Sequence, residues 1–169
     1  RIPIEPEIAH DDAFTPLAYC DHLDIDKAYE GRANLVAILR HGPLDPAPDR
    51  DDDAPGSLRL AFNTHIDTVP PHVPPERRGD LLLGRGACDA KGQAATIYAV
   101  LRALDVLNAE LPATVEAHLV VEEENGGNGT LAMIRHLEAE RGPGCADAAI
   151  VFEPSRMTIM PSVRGAVWF

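Results

Sequence analysis

The chain has 169 residues, 45% of them hydrophobic and 25% charged, which are the proportions of one soluble globular domain with a core of its own. Fifteen lysines and arginines against twenty-seven aspartates and glutamates leave a formal charge of −12, which argues against nucleic acid or an anionic membrane as the main partner. No run approaches the ~20 apolar residues of a membrane span, and the N-terminus lacks the basic and apolar regions of a secretory signal.

Residues 1–30 mix Pro3, Pro6 and Pro16 with many acids and show no sustained period, so only a short strand or helix is expected there. Asn34–Leu39 is a short apolar run of strand length and composition. The proline-containing segment from His41 to Ser57, with its acidic run Asp49 to Asp53, reads as a solvated loop. Leu58–Asn63 is the next strand and leads into His65-Ile66-Asp67. Val69 to Arg78 holds Pro70, Pro71, Pro74 and Pro75, and is expected to be irregular throughout. After a short strand, Leu81–Leu83, Gly84 and Gly86 let the backbone turn tightly before Asp89.

From Gly92 the period changes. Ile97, Val100, Leu101, Leu104 and Leu107 recur at helical spacing and Pro112 closes the segment, which predicts an amphipathic helix. Thr114–Val121 alternates as a strand does and runs into Glu122-Glu123-Glu124 and a glycine-rich turn. A second helix is expected from about Thr130 to Glu140, stopped by Gly142-Pro143-Gly144, and the apolar run Ala148 to Phe152 ends at Glu153-Pro154. Strand and helix alternate, so the expected fold class is α/β, a mostly parallel mixed sheet flanked by helices. Cys20, Cys88 and Cys145 have no C-x-x-C spacing and read as free thiols in a reducing, cytoplasmic compartment. Cys88 is expected to be a small buried residue supporting its loop.

His65, Asp89, the glutamates 122–124 and Glu153 each follow a separate apolar run. In an open α/β sheet, ligands bind outside the carboxyl ends of the strands. A histidine and several carboxylates gathered there repel one another unless cations lie between them. Two zinc ions about 3.5–4 Å apart would supply that charge and an activated water at neutral pH. Adjacent glutamates would provide one ligand and one general base. Asp67 is placed to orient the His65 ring. A nucleotide site is disfavoured, because Gly84-Arg85-Gly86 matches neither G-x-G-x-x-G nor the P-loop pattern.

Asn63-Thr64-His65-Ile66-Asp67-Thr68-Val69-Pro70, Gly84-Arg85-Gly86-Ala87-Cys88-Asp89-Ala90-Lys91-Gly92, Glu122-Glu123-Glu124-Asn125-Gly126-Gly127 and Val151-Phe152-Glu153-Pro154-Ser155 resemble, in order and spacing, motifs of one enzyme group. It is the zinc metallopeptidase family of acetylornithine deacetylase, succinyl-diaminopimelate desuccinylase, aminoacylase and glutamate carboxypeptidase. The resemblance runs from about Arg32-Ala33-Asn34 to Phe169. It implies that His65 and Glu153 hold one zinc, Glu124 the second, and Asp89 both, with cobalt as a substitute metal. It implies Glu123 as general base and Asp67 as the residue orienting His65; a shift of one would make Glu122 the base.

The implied reaction is hydrolysis of the amide bond of an N-acyl amino acid, with exopeptidase action on a short peptide as the alternative. A non-catalytic metal- or partner-binding module is the other reading. By the same resemblance, residues 1–160 correspond to part of a catalytic domain and 161–169 to the start of a lid that forms a homodimer. The family's further histidines, one a zinc ligand and one from the lid, have no counterpart among His10, His22, His41, His118 and His136. The chain therefore reads as a piece of a longer protein, holding most of a two-metal site and inactive alone.

Overall fold

The computed structural model describes residues 2–3, 31–39, 58–109, 111, 113–124, 126–156 and 158. Expectations for residues 4–30, the loop at 41–57 and the lid segment 161–169 lie outside them. Its elements are β1 (Ile2–Pro3), β2 (Ala33–Leu39), β3 (Leu58–His65), β4 (Glu76–Arg78), β5 (Leu81–Leu83), α1 (Lys91–Val106), β6 (Ala113–Val120), α2 (Asn128–Arg141) and β7 (Ala148–Val151).

Five strands form one mixed sheet in the order β1-β2-β6-β3-β7. β3 lies parallel to both β6 and β7, while β2 is antiparallel to β6 and β1 to β2. The α/β class expected from alternating periods is the observed one, and its parallel part is the β6-β3-β7 centre. Register follows the side-chain alternation of period two. Leu60 and Phe62 stand opposite Val115 and Ala117, and all four share the sheet face covered by α1. Ile97 is that helix's fully buried anchor, with Val100, Leu101 and Leu104 half-buried beside it. Val120 stands on the opposite face against Met133 and Leu137 of α2. Burying three such side chains stabilises each layer by roughly 1.5–3 kcal/mol per residue before conformational entropy is subtracted.

Three expectations are corrected. Leu107, counted into the apolar stripe of α1, is 73% exposed, because the helix ends at Val106 and Leu107 is its C-cap residue. Glu76–Arg78 is not irregular: beyond Pro75 the amide donors return, and a turn at Gly79 (φ +61°) folds these residues antiparallel onto β5. That two-stranded ribbon stands apart from the main sheet, so Leu81–Leu83 is not one of the strands whose ends form the sheet's edge, and Asp89 comes, as expected, from the glycine loop that follows it. Among the described residues, no helix is long and apolar enough to cross a membrane.

Candidate metal centre

Parallel pairing places the site. β3, β6 and β7 end at the same edge, because His65 registers with Val120 and Asn63 with Val151. Backbone bonds continue the ladder past the strand ends: Ile66 N–H donates to Val120 O at 2.9 Å, and Phe152 N–H to Asn63 O at 2.8 Å. The His65 ring, Glu123, Glu124 and Glu153 thus leave three neighbouring strands at one level. Phe152 fixes Glu153 from below by packing edge-on against Phe62, with centroids 5.5 Å apart.

Asp89 reaches the same point across a glycine-shaped loop. Gly84 (φ +142°) and Gly86 (φ +81°) take the left-handed conformations expected of them. At Gly86 a Cβ would also lie 2.6 Å from Thr68 Cγ2. Lys91 opens α1 behind this loop, donating its backbone N–H to Gly86 O at 2.9 Å and its Nζ to Ile66 O at 2.9 Å. The two motif-bearing loops are therefore tied to each other.

His65 is 1% exposed, and its Nε2 is the centre of the cluster. It lies 2.9 Å from Asp89 Oδ1, 3.7 Å from Glu153 Oε2 and 3.9 Å from Glu123 Oε2. Its Nδ1–H faces Asp67, 3.2 Å from the carbonyl oxygen and 3.5 Å from the carboxylate. Asp67 also accepts the backbone N–H groups of Glu123 and Glu124 at 3.3 Å each. Asp67 thereby orients the ring through its backbone carbonyl, with its charge close by, while its carboxylate holds the following loop.

Electrostatics are those of a site short of positive charge. Burial alone would lower the His65 pKa, but the Asp89 hydrogen bond and the charges of Glu153, Glu123 and Asp67 hold it above its ordinary value. Burial raises the Glu123 carboxyl; His65 opposes this, and Glu124, Asp67 and Asp89 add to it. Glu153 is likewise raised by burial, against His65 and with Glu123, Asp89 and Glu124. A cation would relieve these repulsions, and the donor set suits one. His65, Asp89 and Glu124 each bring one ligand atom to within 4.8 Å of the others. An imidazole nitrogen with carboxylate oxygens is a zinc-type set.

The cluster opens into a cleft of about 390 Å³ lined by Val69, Val73, Gly84, Arg85, Cys88, Asp89 and Glu124. Cys88 is exposed on it and not buried as expected, because the loop turns its backbone inward at Gly86 and Ala90. His72 is exposed and is not one of these lining residues, while His118 is buried elsewhere, against Glu116.

Residues 61–163 match the family model described as Peptidase family M20/M25/M40. The chain belongs to this family. Among relatives, a probable carboxypeptidase of Neosartorya fischeri is 34% identical over 83% of this chain and 33% of its own. A putative [LysW]-lysine/[LysW]-ornithine hydrolase of Pyrobaculum aerophilum is 36% identical over 86% of this chain and 42% of its own. A succinyl-diaminopimelate desuccinylase of Erythrobacter litoralis is 35% identical over 63% of this chain and 26% of its own. The chain thus spans well under half the length of these relatives. The part of it matched to Peptidase family M20/M25/M40 contains His65, Asp67, Asp89, Glu123, Glu124 and Glu153.

Two groups that shape the site escaped sequence reasoning. Lys91 and Arg85 were legible only as members of the glycine-punctuated motif, with no role of their own. Both act through backbone carbonyls: Arg85 Nε donates to Pro71 O at 3.3 Å. Such contacts leave no pattern in a sequence.

Proposed function

We propose that this chain carries the metal-binding half-site of a zinc-dependent amide hydrolase acting on N-acyl amino acids. The observation that carries this reading is the buried His65 Nε2 enclosed by Asp89, Glu123 and Glu153, with Glu124 completing the ligand group. In this reading His65 and Glu153 would hold one zinc, Glu124 the second, and Asp89 would serve both. The metal supplies Lewis acidity toward the carbonyl and lowers the pKa of an attacking water.

The chain's own residues do the remainder. Asp67 takes the Nδ1–H of His65, which fixes the tautomer and leaves Nε2 as the donor atom. Glu123 stands 3.9 Å from Nε2 and is 44% exposed, so it is placed to take the water's proton and return it to the leaving amine. Its raised pKa suits that exchange. The apolar walls at Val69 and Val73 suit a non-polar part of the acyl group or side chain. Dimerisation through a lid is part of the same proposal.

A second reading, carboxypeptidase action, is favoured by the names of relatives that match 83% of the chain. The chemistry is continuous, since a carboxypeptidase substrate is an N-acyl amino acid whose acyl group is itself an aminoacyl residue. A panel of N-acetyl and N-succinyl amino acids beside N-blocked dipeptides, assayed with the protein from its source plus Zn²⁺ or Co²⁺, separates the two. Turnover of none of them, with metal bound, would remove the enzymatic reading in favour of a binding module.

A further inference from the structure

Glu122 is the member of the glutamate run that faces away from the acidic cluster. Its side chain is fully buried and its φ is +64°, a backbone conformation that residues other than glycine rarely adopt. Arg32, just ahead of β2, forms an ion pair with it. Two residues further on, Asn34 is equally buried and bridges the same turn. Its amide N–H donates to Gly129 O at 2.7 Å, and its Oδ1 accepts from Val121 N–H at 3.0 Å. Gly129 allows this approach, because a Cβ there would fall 1.8 Å from Val121 O. The turn closes on itself through Gly127 N–H to Glu122 O at 2.9 Å and Gly126 N–H to Glu123 O at 3.1 Å.

The segment bearing Glu123 and Glu124 is therefore gripped from two sides. Asp67 holds its amides from the cluster side, and Arg32 and Asn34 hold it from beneath. We infer that Arg32, acting through Glu122, is a positioning residue that sets which glutamates of the run face His65. A fully buried carboxylate is tolerated only while it is paired. Remove the guanidinium and this ion pair is lost, so the left-handed backbone at Glu122 is held less firmly and can relax. In three consecutive glutamates, a rotation at the first redirects the next two. Loss of Arg32 is then an error of register at the metal centre. This rests on the reading of the cluster as a hydrolytic metal centre.

The test compares Arg32→Met, Arg32→Lys, Glu122→Gln and the double variant Arg32→Met/Glu122→Gln in the protein at its full natural length. The readouts are Co²⁺ affinity, the Co²⁺ absorption spectrum, kcat and KM separately, and thermal unfolding. Arg32→Met is expected to lower Co²⁺ affinity and kcat by about 10- to 100-fold, the usual loss when the support of a metal ligand is removed. KM stays near the parent value, and the Co²⁺ spectrum shifts. Arg32→Lys restores most of the loss, and the double variant recovers part of it because no charge is left stranded. If Arg32→Met does not fold, Glu122→Gln carries the same comparison, since it keeps the side chain's shape. Co²⁺ affinity and spectrum equal to the parent's, at a temperature where the variant is folded, would overturn the inference and leave the pair a stability element. A parent that binds Co²⁺ but hydrolyses nothing would remove the proposed function, while the Co²⁺ readouts still decide this one.

Discussion

Two acidic centres lie on the same sheet and have opposite electrostatic character. Glu116, in the middle of β6, is 1% exposed, yet it is met by Arg141 at 2.8 and 3.0 Å, Arg59 at 3.1 Å and His118 at 3.0 Å. Burial alone would raise its pKa; the hydrogen bonds of His118 and Arg141 and their charges hold it down at about 2. Around His65, Asp67, Asp89, Glu123 and Glu153 share one imidazole, and Glu123 and Glu153 are held above the ordinary carboxyl range. Guanidinium groups from two other elements complete the first centre, so its role is to pin α2 and β3 to β6. Among the described residues the second gathers several carboxylates around a single imidazole, an arrangement that a bound cation would complete.

This contrast can be broken most directly at Glu123. Glu123→Gln is expected to lower kcat by about 10²–10⁴-fold, the range for a general acid–base group, with zinc stoichiometry unchanged. Turnover equal to the parent's would end its assignment as base. At the satisfied centre the loss should appear as stability. Arg141→Met leaves Glu116 short of charge and should cost up to about 3–5 kcal/mol in denaturant unfolding, with metal affinity retained.

Acid sharpens the same distinction. The Glu116 pKa is depressed from 4.5 to about 2, so its contribution is present in full above pH 4.5 and lost as pH falls toward 2. It should amount to at most about 3 kcal/mol, read from unfolding curves, and Glu116→Gln should flatten that part of the profile. The metal centre responds in a higher window. Protons compete for His65, whose pKa is raised from its ordinary 6.5, so zinc affinity should weaken as pH falls through that raised value. Calorimetric titration across that range checks it.

Asp67→Asn should reduce zinc affinity by about 10- to 100-fold, because the negative charge beside Nδ1 is removed and one of the two oxygens that hold the Glu123 and Glu124 amides becomes a donor. The smallest effect is expected at the exposed Cys88: Cys88→Ser should change stability by less than about 0.5 kcal/mol.

Much of this was legible in the chain. Periods of two and 3.6 marked β6 and α1 to within a few residues, since burying one face of an element imposes that spacing, while an apolar run marked β3 and a glycine-proline stop marked α2. His65 and Glu153 stood out because each follows an apolar run, and Asp89 because it closes a glycine-punctuated loop; the structure brings the three side chains together. Glu116 and His118 were not: on alternation alone they read as a polar face. In the structure that face is covered by α2, and arginines 57 residues before and 25 after Glu116 satisfy it.

The local sequence by itself determined which segments become strand, helix and turn, and it placed a metal-ligating residue type at the end of several of them. Only the tertiary structure decided that β4 and β5 leave the sheet, that Cys88 faces the cleft, and that Glu122 lies buried against Arg32 while Glu123 and Glu124 turn outward. The physical reason is range. Periodicity reports on burial of one element's face, whereas the partner of a buried charge is brought in from a distant part of the chain by packing.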